Sequence, residues 1–167
     1  MLKPQDLLVA MKLAANPSAR WTFPSLGRAL GVSPSEARNA LRRAARSELV
    51  SESARTAIVP ALREFLLCGA RYAFPAERGR RVRGMPTAMS AAPLADHIAS
   101  TPEAAVVWRY AEGTVRGESI SPIYASVPRA AAQDPKLYRL LALLDGIRIG
   151  GPRVRAVAIE LLKRELD

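Results

Sequence analysis

Side chains that can hydrogen-bond to DNA bases recur along one side of a predicted helix at residues 34–47. They are Ser35, Arg38, Asn39, Arg42 and Arg46, with Arg43 at the edge of the same face. An arginine can donate twice to guanine, an asparagine can pair with the edge of adenine, and further arginines can reach phosphates. This residue set predicts a helix that reads DNA.

The opposite side of this helix is apolar but small. Its residues have the i, i+3, i+4, i+7 spacing of one helix face: Ala37, Ala40, Leu41 and Ala44. Because alanines allow a neighbour to come close, such a helix can stand half out of the protein and enter the major groove, which is about 12 Å wide. A capped surface helix with merely solvated arginines gives the same pattern, so that alternative stays open.

The charge distribution favours the nucleic-acid interpretation. The chain of 167 residues has a net charge of +10. Residues 1–85 carry fifteen Lys/Arg and six Asp/Glu, whereas residues 86–167 carry ten and nine. A localised positive field suggests a polyanionic partner, with nucleic acid first and an anionic membrane surface second. Codon bias would explain the preference for arginine over lysine, but not the asymmetry between the halves.

A second basic segment, "ERGRRVRG" at 77–84, contains four arginines. They are Arg78, Arg80, Arg81 and Arg83. Prolines and glycines are frequent over residues 75–93, so we expect a linker or an extended loop there. Its arginines could follow phosphates beside the helix at 34–47, or they could simply be solvated.

Residues for catalysis or metal binding are scarce. His97, the only histidine, directly follows Asp96, and adjacent residues rarely converge in a catalytic triad. Cys68 is the only cysteine and lies in an apolar segment, which predicts a buried, inert thiol. No phosphate-binding glycine loop occurs. We therefore expect no enzymatic activity, no metal and no cofactor. Three aromatic residues could line a ligand pocket or belong to the core: Trp108, Tyr110 and Tyr124.

Local signals place the elements of the first half. Periodicity predicts a helix over 4–15, a short strand at "WTF" and a helix over 24–30 that ends at Gly31. Ser33, Pro34 and Glu36 form the capping signature of the next helix. Strands are expected at 49–52 and 56–59, and a helix from Pro60.

The second half is predicted to be mostly helical. Strands are expected within 104–127, around a turn at Glu112–Gly113. Two helices then form a hairpin, the first capped by Asp134 and the second starting after "GGP" at 150–152. Their apolar stripes exceed what two helices can cover, so we expect them to pack on the first domain or on a second chain. The stripes are Leu137, Leu140, Leu141, Leu144 and Val154, Val157, Leu161.

The stretch "FPSLGRALGVSPSEARNALRRA" resembles the helix-turn-helix of bacterial transcription regulators. The resemblance lies in Leu26, Gly27, Leu30, the turn Gly31–Val32–Ser33, and Ala37, Ala40 and Leu41. The element order over residues 1–72 is similar to the winged-helix branch, as in the MarR group. The resemblance implies a recognition helix at 34–47 and a wing tip at 51–55, whose one basic residue, Arg55, is expected to contact DNA. Gly27 replaces the alanine usual in that motif.

These observations predict a mainly α protein. A winged helix-turn-helix with a two- or three-strand wing is expected at 1–75, a basic linker at 76–93 and a helical dimerisation, partner or effector region at 94–167. No apolar run is long enough to span a bilayer, and the N-terminal apolar run is too short for a signal peptide, so we expect a soluble, cytoplasmic protein. The expected function is sequence-specific double-stranded DNA binding by a homodimeric repressor. The alternative is a protein-interaction or antitoxin-like subunit, and an enzyme accessory domain is a weaker third.

Overall fold

A computed structural model describes residues 1–167. The chain begins with three helices. They are α1 (Pro4–Ala15), α2 (Phe23–Leu30) and α3 (Pro34–Arg46). Ser33 Oγ accepts from the amide of Glu36 at 3.1 Å, and the Glu36 carboxylate accepts from the amide of Ser33 at 2.8 Å, which confirms the predicted cap of α3. The strand predicted at "WTF" is wrong. Thr22 caps α2 through its hydroxyl, so the chain is already entering that helix.

The turn between α2 and α3 depends on two glycines. Gly31 ends α2 with φ at +69°, a left-handed conformation that few other residues adopt without strain. A Cβ at Gly27 would lie 2.6 Å from the carbonyl oxygen of Val32. The turn folds back so closely on α2 that no side chain fits at Gly27, which explains the departure from the alanine of the helix-turn-helix motif.

A small hairpin follows α3. Strands β1 (Val50–Ser51) and β2 (Thr56–Ala57) pair antiparallel, so both predicted strands exist but are shorter than expected. The next helical segment begins at Val59, one residue before the predicted start. It comprises α4 (Val59–Glu64), a π-helical turn (Phe65–Gly69) and α5 (Ala70–Ala73).

Residues 76–93 do not form the predicted linker. Residues 78–86 form the strand β3 (Arg78–Pro86), which pairs antiparallel with both β4 (Val106–Arg109) and β5 (Val115–Ile120). β4 and β5 pair in parallel, so the three strands close on themselves. The strand was hidden in the sequence because the register shifts between Arg78 and Arg81, and because Val82 and Gly84 are its only buried positions.

Short 3-10 turns and three helices complete the chain. The turns are Ala88–Ser90, Leu94–Asp96 and Pro102–Ala104. The helices are α6 (Val127–Ala132), α7 (Pro135–Ile149) and α8 (Pro152–Glu165). Asp134 caps α7 as predicted, accepting from the amides of Lys136 and Leu137. α6 was not predicted. The protein is mainly helical, with one two-strand and one three-strand sheet.

One continuous apolar core joins the two halves. Its 36 buried residues extend from Leu7 in α1 to Leu166 after α8, with no break at the boundary predicted near residue 75. α7 packs against α1, α6 and α8, so its leucines are covered within the chain. The apolar stripes therefore no longer require a second chain. No helix combines the length and the apolar composition that crossing a bilayer requires.

A buried carboxylate on α7 ties the three-strand sheet to this core. Asp145 accepts hydrogen bonds from Thr87 Oγ1, Trp108 Nε1 and Arg148 Nη1, each at 2.7 Å. Burial raises the pKa of Asp145, and the charge of Arg148 opposes that rise. Because the carboxylate is 2% exposed and fully hydrogen-bonded, it fixes packing and offers no access to a substrate.

Candidate nucleic-acid interface

The outer face of α3 carries the predicted side chains in solvent. They are Ser35, Arg38, Asn39, Arg42 and Arg46, all exposed. The inner stripe is at most 2% exposed and consists of Ala37, Ala40, Leu41 and Ala44. It packs against α1 and α2. The predicted division of α3 into a polar and a small apolar face is confirmed.

Arg43 does not share this outer face. Its Nε and Nη2 donate to both carboxylate oxygens of Asp6 at 2.7 to 3.1 Å. The Asp6 side chain is fully buried and the Arg43 side chain is 21% exposed. The hydrogen bond to Asp6 raises the pKa of Arg43. The guanidinium of Arg43 is therefore occupied in fixing α3 on α1, and its predicted contact with DNA stays a prediction that this position does not favour.

The one basic residue of the hairpin is also occupied. Arg55 Nη1 donates to the carbonyl of Trp21 at 2.7 Å, and its guanidinium lies 4.4 Å from the centroid of the Phe23 ring. Arg38 approaches the same ring at 5.8 Å. The hairpin tip is thus held against the start of α2, and the predicted contact of Arg55 with DNA stays a prediction that this position does not favour.

The remaining polar groups of α3 are free or weakly held. Arg42 Nε lies 3.4 Å from Glu52 Oε1, and both side chains are about half exposed, which makes a weak surface ion pair. Arg46 forms no ion pair, and the side chains of Asn39 and Arg46 form no hydrogen bond within the chain. These three residues, with Ser35 and Arg38, are the groups available to a ligand in front of α3.

The N-terminus of α3 already carries a carboxylate, that of Glu36. Hydrogen bonds from Ser33 lower the pKa of the exposed Glu36 carboxylate and keep it ionised over the first turn. A carboxylate at this position complements the helix dipole that would otherwise attract a phosphate. Contacts with a nucleic-acid backbone therefore have to come from side chains.

The four arginines of β3 lie on an ordered strand, not on a flexible loop. Arg78 pairs with Glu118 at 2.6 Å, and Arg81 donates to the carbonyls of Glu103 and Arg116. Arg80 and Arg83 are exposed and have no ion-pair partner. Arg78 and Arg81 are thus engaged within the chain, although all four side chains are exposed, and the prediction that the four arginines contact phosphates stays a prediction.

Three basic residues beside β3 were missed at the level of sequence. Arg116 lies directly opposite Arg83 in the antiparallel pair, and Arg109 lies opposite Gly84. Arg129 on α6 faces the same cleft as Arg83 and Arg109. The near-neutral balance of the second half hid this concentration of charge, because acidic residues such as Glu112 and Glu118 alternate with these arginines along the sequence. The one sequence signal for this group was Arg109, the exposed arginine that ends the apolar segment "VVWR".

The other candidate residues are scattered. His97 is exposed, and no three His, Cys, Asp or Glu side chains are grouped in a way that could hold a metal ion. The buried thiol predicted for Cys68 is wrong, since Cys68 is exposed. Trp108 is a core residue, Tyr110 lines the cleft with Arg83, and Tyr124 lies half-buried near α1 and α3.

Comparisons with known proteins identify no relative. No protein-family model, no curated protein and no solved structure matches the chain. The resemblance to winged-helix regulators therefore rests on the residues of this chain alone. Any proposal about function has to be carried by the geometry described above.

Proposed function

We propose that the protein is a sequence-specific double-stranded DNA-binding transcriptional regulator of the winged-helix type, acting as a repressor in the cytoplasm. One observation carries the proposal. α3 presents Ser35, Arg38, Asn39, Arg42 and Arg46 to solvent while its alanine stripe and the Asp6–Arg43 pair hold it close to α1 and α2. A rigidly held helix with protruding hydrogen-bond donors matches what base reading in the major groove requires.

The contacts divide by side-chain type. Asn39 suits the edge of adenine, and Arg42 and Arg46 suit guanine or flanking phosphates. Arg42 would have to leave its weak pair with Glu52, which costs little at an exposed site. Ser35 and Arg38 lie one turn nearer the start of α3, and Arg80 and Arg83 would add phosphate contacts.

The hairpin contributes less than in a typical winged helix. Its only arginine, Arg55, is bound to Trp21 and Phe23, so the tip offers no free positive charge. Affinity then depends on α3 and on the arginines of the three-strand sheet. Regulators of this type commonly bind as homodimers whose protomers each read a half-site, and we propose the same here.

Gel-shift titration tests this function. Sites are first selected from random duplexes, and the wild type is compared with Arg46→Ala, Asn39→Ala and the control Arg164→Ala. Arg164 is exposed near the end of α8, so the control matches the charge loss of Arg46→Ala on a helix that packs on α7. We expect a loss of about 1–3 kcal/mol in binding the selected site for Arg46→Ala. Equal binding by Arg46→Ala and Arg164→Ala, with both proteins folded, would refute the proposal.

A second candidate is a protein-interaction or antitoxin-like subunit. The favouring observation is that Arg43 and Arg55 are both used inside the fold and that Glu36 places a negative charge at the start of α3. An interaction module should show weak duplex binding and little dependence on salt, whereas a DNA-binding protein loses affinity steeply as salt rises. The same titration at two salt concentrations therefore separates the candidates.

A further inference from the structure

An open cleft of about 580 Å³ lies between the three-strand sheet and α6. Its charged residues are Arg83 on β3, Arg109 at the end of β4, and Arg129 on α6. Between them lie apolar side chains, including Val82 and Pro128. The volume falls within the range of small-ligand sites. The three arginines come from three separate elements, so the fold and not a local charge run brings them together.

None of the three guanidinium groups forms an ion pair within the chain, although eight ion pairs exist elsewhere. Glu112 is close, but its carboxylate accepts from the Tyr110 hydroxyl at 3.0 Å. That bond raises the pKa of Tyr110, and the charge of Arg129, which lines the same cleft, opposes the rise. The three guanidinium groups therefore lie beside the cleft without an ion-pair partner, and the nearest carboxylate on the neighbouring loop, that of Glu112, is hydrogen-bonded to Tyr110.

Without a bound anion, the arginines beside the cleft repel one another and destabilise the sheet. Arg83 and Arg116 are directly opposite in an antiparallel pair, where like charges destabilise a sheet. Arg109 is opposite Gly84, the residue next to Arg83. An anion bound among these groups would relieve the repulsion.

The cleft continues along the sheet. A neighbouring cleft of about 370 Å³ shares Arg109, Ala125 and Pro128 with it. It extends to Ser119, to Glu77 and to Arg78, whose guanidinium is paired with Glu118. Arg109 lines both clefts and so lies where they join. Planar guanidinium groups that approach from different sides match the several oxygens of a phosphate.

We propose that the groove centred on Arg83, Arg109 and Arg129 is a phosphate-binding site. The ligand chemistry is a phosphate or chain of phosphates, supplied either by the backbone of bound DNA or by a free phosphorylated molecule. The site goes beyond the proposed function, because Arg109 and Arg129 belong neither to α3 nor to the basic segment at 77–84. It holds whether or not α3 reads DNA.

Calorimetric titration with pyrophosphate in a low-salt chloride buffer tests the site on the full chain. The variants are Arg109→Gln and Arg129→Gln, with Arg164→Gln as a control of equal charge. Loss of one charge-assisted contact should weaken pyrophosphate binding by about tenfold or more in the first two variants. The control should change it by less than about twofold. Circular dichroism verifies folding, and Arg109→Lys, which keeps the charge, should recover part of the affinity.

A parallel gel shift on random duplex DNA distinguishes the two sources of phosphate, the DNA backbone and a free phosphorylated molecule. If Arg109→Gln and Arg129→Gln weaken duplex binding as strongly as pyrophosphate binding, the groove holds the DNA backbone. If only pyrophosphate binding falls, the ligand is a free phosphorylated molecule. Wild-type protein that fails to bind pyrophosphate, or equal losses in Arg164→Gln, would overturn the site. Failure of Asn39→Ala and Arg46→Ala to affect DNA overturns only the role of α3.

Discussion

Both oxygens of the Asp6 carboxylate accept hydrogen bonds from the guanidinium of Arg43, 37 residues later in the chain. Asp6 also accepts from the amide of Lys3 at 2.7 Å, so one fully buried carboxylate caps α1 and anchors α3. The orientation of the exposed face of α3 therefore depends on a residue of α1 that never meets a ligand.

Replacing Arg43 by Met should destabilise the protein strongly. The apolar stem is kept, but Asp6 loses its charged partner while remaining buried, and such a loss typically costs about 3–5 kcal/mol. Urea unfolding measures the free energy of unfolding. Arg46→Met is the matched control, because Arg46 is exposed and unpaired, and its change should stay within about 0.5 kcal/mol. Similar stabilities of the two variants would show that the Asp6–Arg43 pair does not support the fold.

Introducing alanine at Gly27 should also lower stability. Its Cβ would lie 2.6 Å from the Val32 carbonyl oxygen, so the turn before α3 must move. Overpacking of this kind costs about 1–3 kcal/mol. Gly151→Ala is the control, since a Cβ there meets nothing within 4 Å. Thermal unfolding of both variants measures the difference. An unchanged midpoint for Gly27→Ala would mean that the turn adapts freely.

The Lys12–Asp134 pair should make stability fall in acid. Burial by itself raises the pKa of Asp134, but hydrogen bonds from Lys12 and Asn16 outweigh it and bring the pKa below its ordinary value of 3.8. A lowered native pKa contributes stability that is present above pH 3.8 and is lost as the pH falls below it. Urea midpoints from about pH 6 to about pH 3 should show this decline.

Asp134→Asn is the informative comparison for that pH dependence. Asparagine keeps an acceptor for the cap of α7 but has no charge to titrate. The variant should be less stable than the wild type at neutral pH, and the difference should shrink in acid. A constant difference across the pH range would assign the acid sensitivity to other carboxylates.

Asn39 and Arg80 should contribute to DNA binding in different ways, Asn39 by reading a base edge and Arg80 by contacting the DNA backbone. Asn39→Ala should weaken selected sites more than random ones, because an amide chiefly reads a base edge. Arg80→Ala should weaken all duplexes alike and reduce the salt slope by roughly 0.9, the value of one neutralised phosphate. A salt titration on two duplexes distinguishes the effects. Loss of site preference in Arg80→Ala and not in Asn39→Ala would reverse the two roles.

Sequence patterns predicted the elements whose signals are local. The cap formed by Ser33 and Glu36 and the stop at Gly31 lie within a few residues of the ends they define, and the structure has them as expected. The two faces of α3 followed from periodicity for the same reason. Thr22 shows the limit, because its β-branched side chain suggested a strand although its hydroxyl caps a helix.

Long-range partners were not predictable in this way. Nothing near Arg43 in the sequence points to Asp6, and nothing near Arg81 points to the carbonyls of Glu103 and Arg116. The strand β3 owes its formation to partners more than 20 residues away, while its own residues are mostly polar. The groove at Arg109 and Arg129 exists only after the sheet has closed beside α6.

The shared core has a consequence for how this chain can be rearranged. α1 lies between α3 on one side and α7 on the other, and Lys12 of α1 is buried against Asp134. A fragment ending near residue 75 would expose the leucines of α1. It would also leave the ammonium group of Lys12 without its counter-ion, Asp134. Helix α3 therefore cannot be transferred to another protein on a fragment that ends near residue 75. Both halves of the chain have to stay together for α3 to keep its position.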